Sequence, residues 1–197
     1  MKFTIFFAAL LGLSLIAMSA SDAYGAIYVK IPGIPGDVTT EGYDKKEWFV
    51  ADSFSFGVER ELKESGEKGG TADINIGVGE LQEVSISKSL DSATSKLFIA
   101  SVAGNSHGNS QISFVQSSGT HGQPIVFLDY CLGNTFVKSW STSGDADDRP
   151  TEEVSFYYNK IAFRYSSTID GQTFTTQDPV GWDLVQNKAH NQWDCGN

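Results

Sequence analysis

Apolar residues at alternate positions constrain the fold of this chain more than any other sequence feature. Residues 54–58 and 74–78 each carry an apolar side chain at every second position. A period of two places alternate side chains on one face of a β-strand, so both segments are predicted to be half-buried strands. Residues 153–165, rich in aromatic and β-branched types, give the strongest strand prediction. The alternating positions are Phe54, Phe56 and Val58, and Ile74, Ile76 and Val78.

The other extended segments are shorter. Residues 124–137 contain two apolar runs on either side of Cys131, which predict either one long bent strand or two shorter ones. Clusters of Gly, Ser, Asn, Asp and Pro separate the predicted strands, and residues 66–71 fit a flexible hairpin end. We find no internal repeat and no long linker, so we predict one domain.

One segment departs from the strand pattern. Asp91 is a residue type that caps helix N-termini, and Gly104 is one that ends helices. The segment between them therefore predicts a single helix of about three turns, over about residues 91–103, in an otherwise antiparallel β domain. The apolar residues at helical spacing are Leu97, Phe98, Val102 and Ala103.

Residues 1–25 have the pattern of a secretory signal peptide. Lys2 gives a short positive start, residues 3–18 are apolar, and Ala23 and Gly25 are small residues at the two positions that a signal peptidase inspects. We predict cleavage between Gly25 and Ala26 and a secreted or periplasmic protein with no membrane segment after cleavage. An uncleaved N-terminal anchor is the alternative, because the apolar stretch approaches the shortest length that spans a bilayer.

Charge and cysteine content restrict the partners. The net charge of −10 argues against binding to nucleic acid or to anionic lipid, since both depend on Lys and Arg patches. The two cysteines, Cys131 and Cys195, are too few for a cysteine-rich metal site. In an oxidising compartment we expect them to form one disulfide that ties the tail to a strand; two free thiols or a bond between chains remain alternatives.

The histidines and carboxylates of the sequence do not form a recognisable catalytic or metal-binding motif. The three histidines, His107, His121 and His190, lack the spacing of a paired metal site. The acidic run 145–148 lacks the Gly and Glu positions of an EF-hand and fits a solvated turn, with opportunistic Ca²⁺ binding as the alternative. We therefore predict no metal and no cofactor.

Two further groups of residues are candidate sites. Glu152 and Glu153 are adjacent in a predicted strand and should point to opposite faces, so they cannot act on one substrate atom. Trp48, Tyr157 and Trp193 could form a sugar-binding platform, whereas a core or subunit-contact role is the simpler interpretation.

The order of these elements resembles the haemolysin-coregulated protein (Hcp) family, the tube subunit of type VI secretion. The resemblance runs from Ala26 to about Lys188, and its most specific part is Val84–Leu97, where a strand is followed by a Lys, an Asp and then a helix. The other matching segments are Ala26–Gly36, Phe54–Val58 with the glycine-rich stretch 65–70, Ser141–Gly144, Thr151–Ser155, Tyr165 and Gly181–Asp183.

This resemblance implies a six-stranded antiparallel β-barrel with one flanking helix, assembled as a hexameric ring with a central pore. Rings of the family stack into a tube that protein cargo can enter, and the family is not enzymatic, so it supplies no catalytic or cofactor-binding residues. The expected organisation is a signal peptide over residues 1–25, an Hcp-like barrel over 26–190 and a tail over 191–197.

The signal peptide departs from the family, whose tube subunits assemble in the cytoplasm and leave through the secretion machine. We therefore predict a secreted, non-enzymatic, Hcp-like protein that self-associates into rings, possible cargo being its other partner. The alternative is a monomeric extracellular binding module for carbohydrate or a cell-surface partner. A small hydrolase has no support beyond generic Ser, Asp and His content.

Overall fold

A computed structural model describes residues 25–44, 47–64, 74–117, 124–169 and 173–196 of the chain. The predicted signal peptide, apart from Gly25, the predicted hairpin end at 66–71 and His121 lie outside these ranges. In chain order the described elements are β1 Gly25–Lys30, β2 Trp48–Ala51, β3 Ser53–Ser55, β4 Val58–Glu64, β5 Ile74–Leu81, β6 Val84–Ser89, α1 Thr94–Ala103, β7 Ser110–Ser117, β8 Pro124–Gly133, β9 Phe136–Ser143, β10 Thr151–Tyr157, β11 Lys160–Thr168, β12 Phe174–Thr176, β13 Val180–Asp183 and β14 Lys188–Ala189.

Two antiparallel sheets enclose the core. The large sheet has the strand order β14-β13-β11-β8-β7-β1-β2, with β12 paired to β11, and the small sheet has the order β3-β6-β10-β9. Strands β4 and β5 form a separate hairpin. The chain passes from β2 in the large sheet to β3 in the small sheet at Asp52, whose N–H donates to the Ser87 carbonyl at 2.8 Å. The predicted mainly β, antiparallel fold with one helix is confirmed.

The two long extended segments, 124–137 and 153–165, are each divided where the chain changes sheet, so the alternative of two shorter strands is confirmed for 124–137. Residues 124–137 form two strands, β8 and β9, and residues 153–165 fall on β10 and β11. The turn between β8 and β9 lies next to the turn between β10 and β11. A hydrogen bond joins them, from the Asn159 N–H to the Gly133 carbonyl at 2.9 Å. A strand that ends in one sheet and restarts in the other covers the same core from both sides.

The core is built by the alternating residues. The inward positions of both sheets and of α1 form one buried cluster, against which Phe54 and Phe56 pack. Val58 departs from the prediction: it is 61% exposed, because β3 ends at Ser55 and β4 restarts at Val58 with a different phase. The largest fully buried apolar side chains of this cluster are Phe49, Phe156, Ile34, Leu97, Ile112 and Leu132.

Helix α1 begins at Thr94, three residues after the predicted N-cap Asp91. The Asp91 carboxylate instead accepts a hydrogen bond from the Ala93 N–H at 2.8 Å and forms an ion pair with Lys88. At the other end the prediction is confirmed: Gly104 adopts φ 65° and donates to the Ala100 carbonyl at 3.0 Å. In the part of the chain that the structure describes, no helix is long and apolar enough to cross a membrane.

The face that α1 buries differs from the predicted one. Leu97 and Ala100 are buried, whereas Phe98 and Val102 are exposed. At about 100° per residue, Phe98, Ile99 and Val102 lie on the side of the helix opposite Leu97. The predicted apolar set therefore belongs to two different faces of α1.

A buried ion pair fastens α1 to the small sheet. Lys88 on β6 and Glu152 on β10 are cross-strand partners, both fully buried, with Lys88 Nζ 2.5 Å from Glu152 Oε1. Lys88 also donates to Asp91 at 2.7 Å and to the Ser89 carbonyl at 2.8 Å. Glu152 accepts the Thr94 hydroxyl at 2.9 Å and the Trp140 indole N–H at 2.6 Å. The network joins β6, β9 and β10 to the first turn of α1.

The C-terminal tail is tied to the outer face of the large sheet. Cys131 on β8 and Cys195 are joined by a disulfide across a sequence separation of 64 residues. On the chain-entropy account, closing a loop of this size stabilises the fold by about 4 kcal/mol. Nearby, Trp193 lies 4.1 Å from the Arg164 guanidinium, a cation–π contact that also holds the tail.

We expect Lys88→Met to destabilise the protein by about 3–5 kcal/mol, because it leaves the Glu152 carboxylate buried without its counter-charge. The matched control is Lys138→Met, which removes the lysine of an exposed pair with Glu83 and should cost at most about 1 kcal/mol. Urea unfolding followed by tryptophan fluorescence measures both. Equal, small losses would contradict the structural role of the buried pair.

Candidate functional site

The outer face of the small sheet consists mainly of serine side chains. The cross-strand register places them in two rows, one across all four strands and one interrupted by Glu153. We call this surface the serine face; it consists of Ser53, Ser55, Ser85, Ser87, Ser139, Ser141 and Ser155.

The serine face follows from the alternation of these strands. On β6 and β10 the intervening residues, such as Ile86 and Val154, are buried in the core. The hydroxyls bond to one another across strands: Ser53 Oγ lies 2.6 Å from Ser87 Oγ, and Ser139 Oγ lies 2.6 Å from Ser155 Oγ. The result is a shallow hydroxyl surface with no large apolar side chain of its own, so it offers weak polar contacts and no anchor pocket.

Charge at the border of this face is paired. Glu83 forms an exposed ion pair with Lys138. The hydrogen bond from Lys138 holds the pKa of the Glu83 carboxyl below its usual range. Glu153 lies within the serine face, whereas its neighbour Glu152 is buried. The prediction that these two carboxylates point to opposite faces is confirmed.

Helix α1 carries an exposed apolar surface. Phe98, Ile99 and Val102 are 45%, 58% and 72% exposed, and together we call them the apolar ridge. The Phe98 ring rests edge-on against Trp140, with the ring centroids 5.3 Å apart. Adjacent exposed apolar side chains of this size are typical of interaction surfaces.

A second apolar surface is concave. It is a cleft of about 550 Å³ between the β4–β5 hairpin and strands β11 and β13. Arg60 is the charged residue of its lining. We call this the apolar cleft; its apolar side chains are Phe56, Val58, Leu81, Ile161, Phe163, Val180 and Trp182.

A polar cluster on the outer face of the large sheet is structural. The buried Asp129 carboxylate accepts the Ser113 hydroxyl at 2.5 Å and two N–H bonds from Arg164 at 3.1 and 3.2 Å. Burial, with a smaller contribution from the Asp129 charge, raises the pKa of Tyr43 to about 12. Both oxygens of the Asp129 carboxylate accept hydrogen bonds from within the protein, so this carboxylate is not presented to a substrate.

The structure separates the residues that the sequence singled out as candidate sites. His107 lies beside the Pro32 carbonyl at 3.2 Å, and His190 pairs with Asp194 at 2.8 Å. In the acidic run, the Asp145 carboxylate accepts the Asp147 and Asp148 N–H groups. In the described ranges, no three His, Cys, Asp or Glu residues are grouped so that they could hold a metal ion.

The proposed aromatic platform does not assemble. Trp48 is buried against Tyr43, Trp193 stacks on Arg164, and Tyr157 is half exposed beside Tyr158. Sequence reasoning missed the serine face, although its signal was present: serines occupy alternate positions in 53–55, 85–89 and 139–143. The signal is weak because serine is common in loops as well as in strands.

Comparison with known proteins places the fold in one family. The profile described as type VI secretion system effector, Hcp, matches residues 28–165. A solved type six secretion system protein is 23% identical and superposes with a TM-score of 0.74, over 85% of this chain and all (100%) of its own. Hcp1 from Salmonella typhimurium is 18% identical with a TM-score of 0.64, over 84% and 99% of the two chains.

A third similar structure is a type VI secretion system effector from Yersinia pestis. It is 16% identical, with a TM-score of 0.57, over 80% of this chain and 98% of its own. No curated protein sequence matches the chain. At these identities the solved structures establish the fold, and the profile match establishes the family.

We expect Ser155→Ala, on the serine face, to change the free energy of unfolding by less than about 1 kcal/mol, because its hydroxyl bond is exposed. Ser113→Ala is the matched comparison: it removes a buried donor to Asp129 and should cost about 1–3 kcal/mol. Chemical denaturation of both variants measures the difference. A large loss for Ser155→Ala would mean that the serine face serves stability.

Proposed function

Because this chain belongs to the Hcp family of type VI secretion system effectors, we propose that it is an exported structural subunit that self-associates into hexameric rings. The observation that carries the proposal is the presence of unlike surfaces on one fold: a polar serine face and two apolar surfaces of different shape. The role is structural, and we assign it no catalytic residue.

Ring closure needs two different patches on each subunit. In a ring, every subunit uses one patch toward the neighbour on one side and another patch toward the neighbour on the other side. The apolar ridge on α1 and the apolar cleft lie on separate elements, and both are exposed. Their burial between subunits would remove apolar surface from water, which drives association.

We propose that the serine face lines the central lumen. A flat hydroxyl surface stays hydrated and contacts a passing polypeptide only weakly, which suits a conduit or carrier better than a specific binding site. The opposite side of the molecule, the outer face of the large sheet, carries the disulfide and the C-terminal tail. With the serine face inward, the tail does not enter the lumen.

The N-terminal segment supplies the export step of the proposal. We propose that residues 1–25 act as a secretory signal and that cleavage occurs between Gly25 and Ala26. Gly25 is the first residue of β1, and Ala26 already pairs with Val115 of β7. Cleavage there removes only the first residue of β1, and Ala26–Lys30 stay paired with β7. Export of this kind delivers the chain to a compartment in which the disulfide is stable.

We expect the exported protein to have a ring mass in multi-angle light scattering, with the ring weakening at low salt. Each subunit of net charge −10 repels its neighbours, and salt screens that repulsion. A monomer at micromolar concentration in both low and high salt would remove the ring and would leave the secreted binding module as the better account.

The same rings test the orientation of the subunit. A gold label on Ser155→Cys should appear at the ring centre in negative-stain images. The control is Val50→Cys, which lies on the outer face of the large sheet, because it pairs with Tyr28 and alternates with the buried Phe49. Labels from both variants at the perimeter would refute the lumen assignment while leaving the ring intact.

Intact-mass spectrometry of the exported protein tests export and the disulfide together. We expect a chain that begins at Ala26 and gains the mass of two alkyl groups only after reduction, since the Cys131–Cys195 bond protects both thiols. A retained Met1 would refute cleavage. Alkylation of both cysteines without reduction would refute the disulfide.

A further inference from the structure

We propose that neighbouring subunits join by seating the apolar ridge of one copy in the apolar cleft of the next, an inference that rests on the proposed ring. The ridge is Phe98, Ile99 and Val102 on α1, and the cleft lies between the β4–β5 hairpin and strands β11 and β13. The occupant of the cleft is therefore a second copy of this chain.

The ridge has the shape of a knob. Its three side chains project from the side of α1 that faces away from Leu97 and the core. Within the described residues, the Phe98 ring contacts the edge of Trp140, and Ile99 and Val102 are the most exposed large apolar side chains of the helix. A concave apolar partner contacts such a knob on several sides and so buries more of its surface than a flat partner does.

The cleft has the complementary shape. Val58, Phe163 and Val180 line it and are themselves exposed, so its apolar wall is open to a partner. Its volume of about 550 Å³ lies within the range of sites that take up apolar groups. Knob and hole are thus present on the same chain and on different elements of it.

Charge complementarity favours a helix end as the occupant. Arg60, in the cleft lining, lies across Gly79, where even a Cβ atom would be 3.3 Å from its guanidinium. Helix α1 has no basic residue in its last turn, so its C-terminal carbonyls keep their partial negative charge. Val102 lies in that last turn. Docking the ridge would therefore bring Arg60 close to the negative end of the neighbour's helix.

The unlike shapes determine the kind of assembly. A knob-to-hole contact is heterologous: each copy offers a knob to one neighbour and a hole to the other. Such contacts close into a ring when the rotation between neighbours divides a full turn. A contact of ridge with ridge would instead give two-fold dimers. A small amphipathic anion or a cargo segment in the cleft are the other possible occupants, and the experiment below separates them from a second copy.

The test is cysteine crosslinking of the full exported protein. The variant carries Val102→Cys and Val180→Cys, which place one thiol on the ridge and one in the cleft. The matched control carries Val102→Cys and Val185→Cys; Val185 is 73% exposed against 55% for Val180 and is not part of the cleft lining. Both native cysteines are occupied in their disulfide. Mild oxidation with copper phenanthroline forms the new bonds.

We expect the ridge–cleft variant to give a ladder of covalent oligomers on non-reducing gels, ending at the ring size, and the control to lose that ladder. An equimolar mixture of Val102→Cys and Val180→Cys single variants should stop at covalent dimers, since each copy then has one new thiol. Dimers of Val102→Cys alone would mean ridge-to-ridge contact and would overturn the proposal.

A charge substitution gives an independent readout. Val102→Lys should abolish the ring mass in light scattering, because it buries a cation opposite Arg60, whereas Val185→Lys should leave the ring mass unchanged. A ring that persists in Val102→Lys, or one that forms without the crosslinked ladder, would overturn the ridge–cleft contact and leave the ring proposal standing. A wild-type monomer would refute the ring proposal and this inference with it.

Discussion

The buried pair of Lys88 and Glu152 is the interaction on which the rest of the molecule depends. Burial of two charges costs free energy unless each finds its full set of partners, and here Asp91, Thr94 and Trp140 supply them. Because Asp91 and Thr94 stand at the start of α1, the network sets where the helix begins and which side of it meets the core. The outward direction of the apolar ridge follows from that fixed start.

The small sheet divides its two faces between stability and the proposed function. Inward residues such as Ile86 and Val154 fill the core, and the residues between them form the serine face. A one-residue slip in register would exchange these faces and bury the serines, so the register of β6 against β10 is under strong constraint. The Lys88–Glu152 pair is itself a cross-strand partner in that register. One ion pair thus holds both the helix and the alignment of the serine face.

The profile match leaves out the signal-like segment and the end of the chain, which contains β12, β13, β14 and Cys195. The profile match ends at residue 165, and beyond it the chain continues through β12, β13 and β14 of the large sheet before Cys195 returns through the disulfide to β8. Strand β13 forms one wall of the apolar cleft, whereas the segment around Cys195 fastens to the outer face of the large sheet.

The sequence by itself determined the local features: antiparallel strands from the period of two, opposite directions for Glu152 and Glu153, and the helix end at Gly104. Each depends on neighbours a few residues away, which the sequence displays. The tertiary structure decided where the strands break between sheets. It also decided that Asp91 pairs with Lys88 and does not cap α1, and that Trp48 is buried while Val102 is exposed. These outcomes depend on partners distant in sequence, such as Lys88 and Glu152, which come together only when the two sheets close around the core.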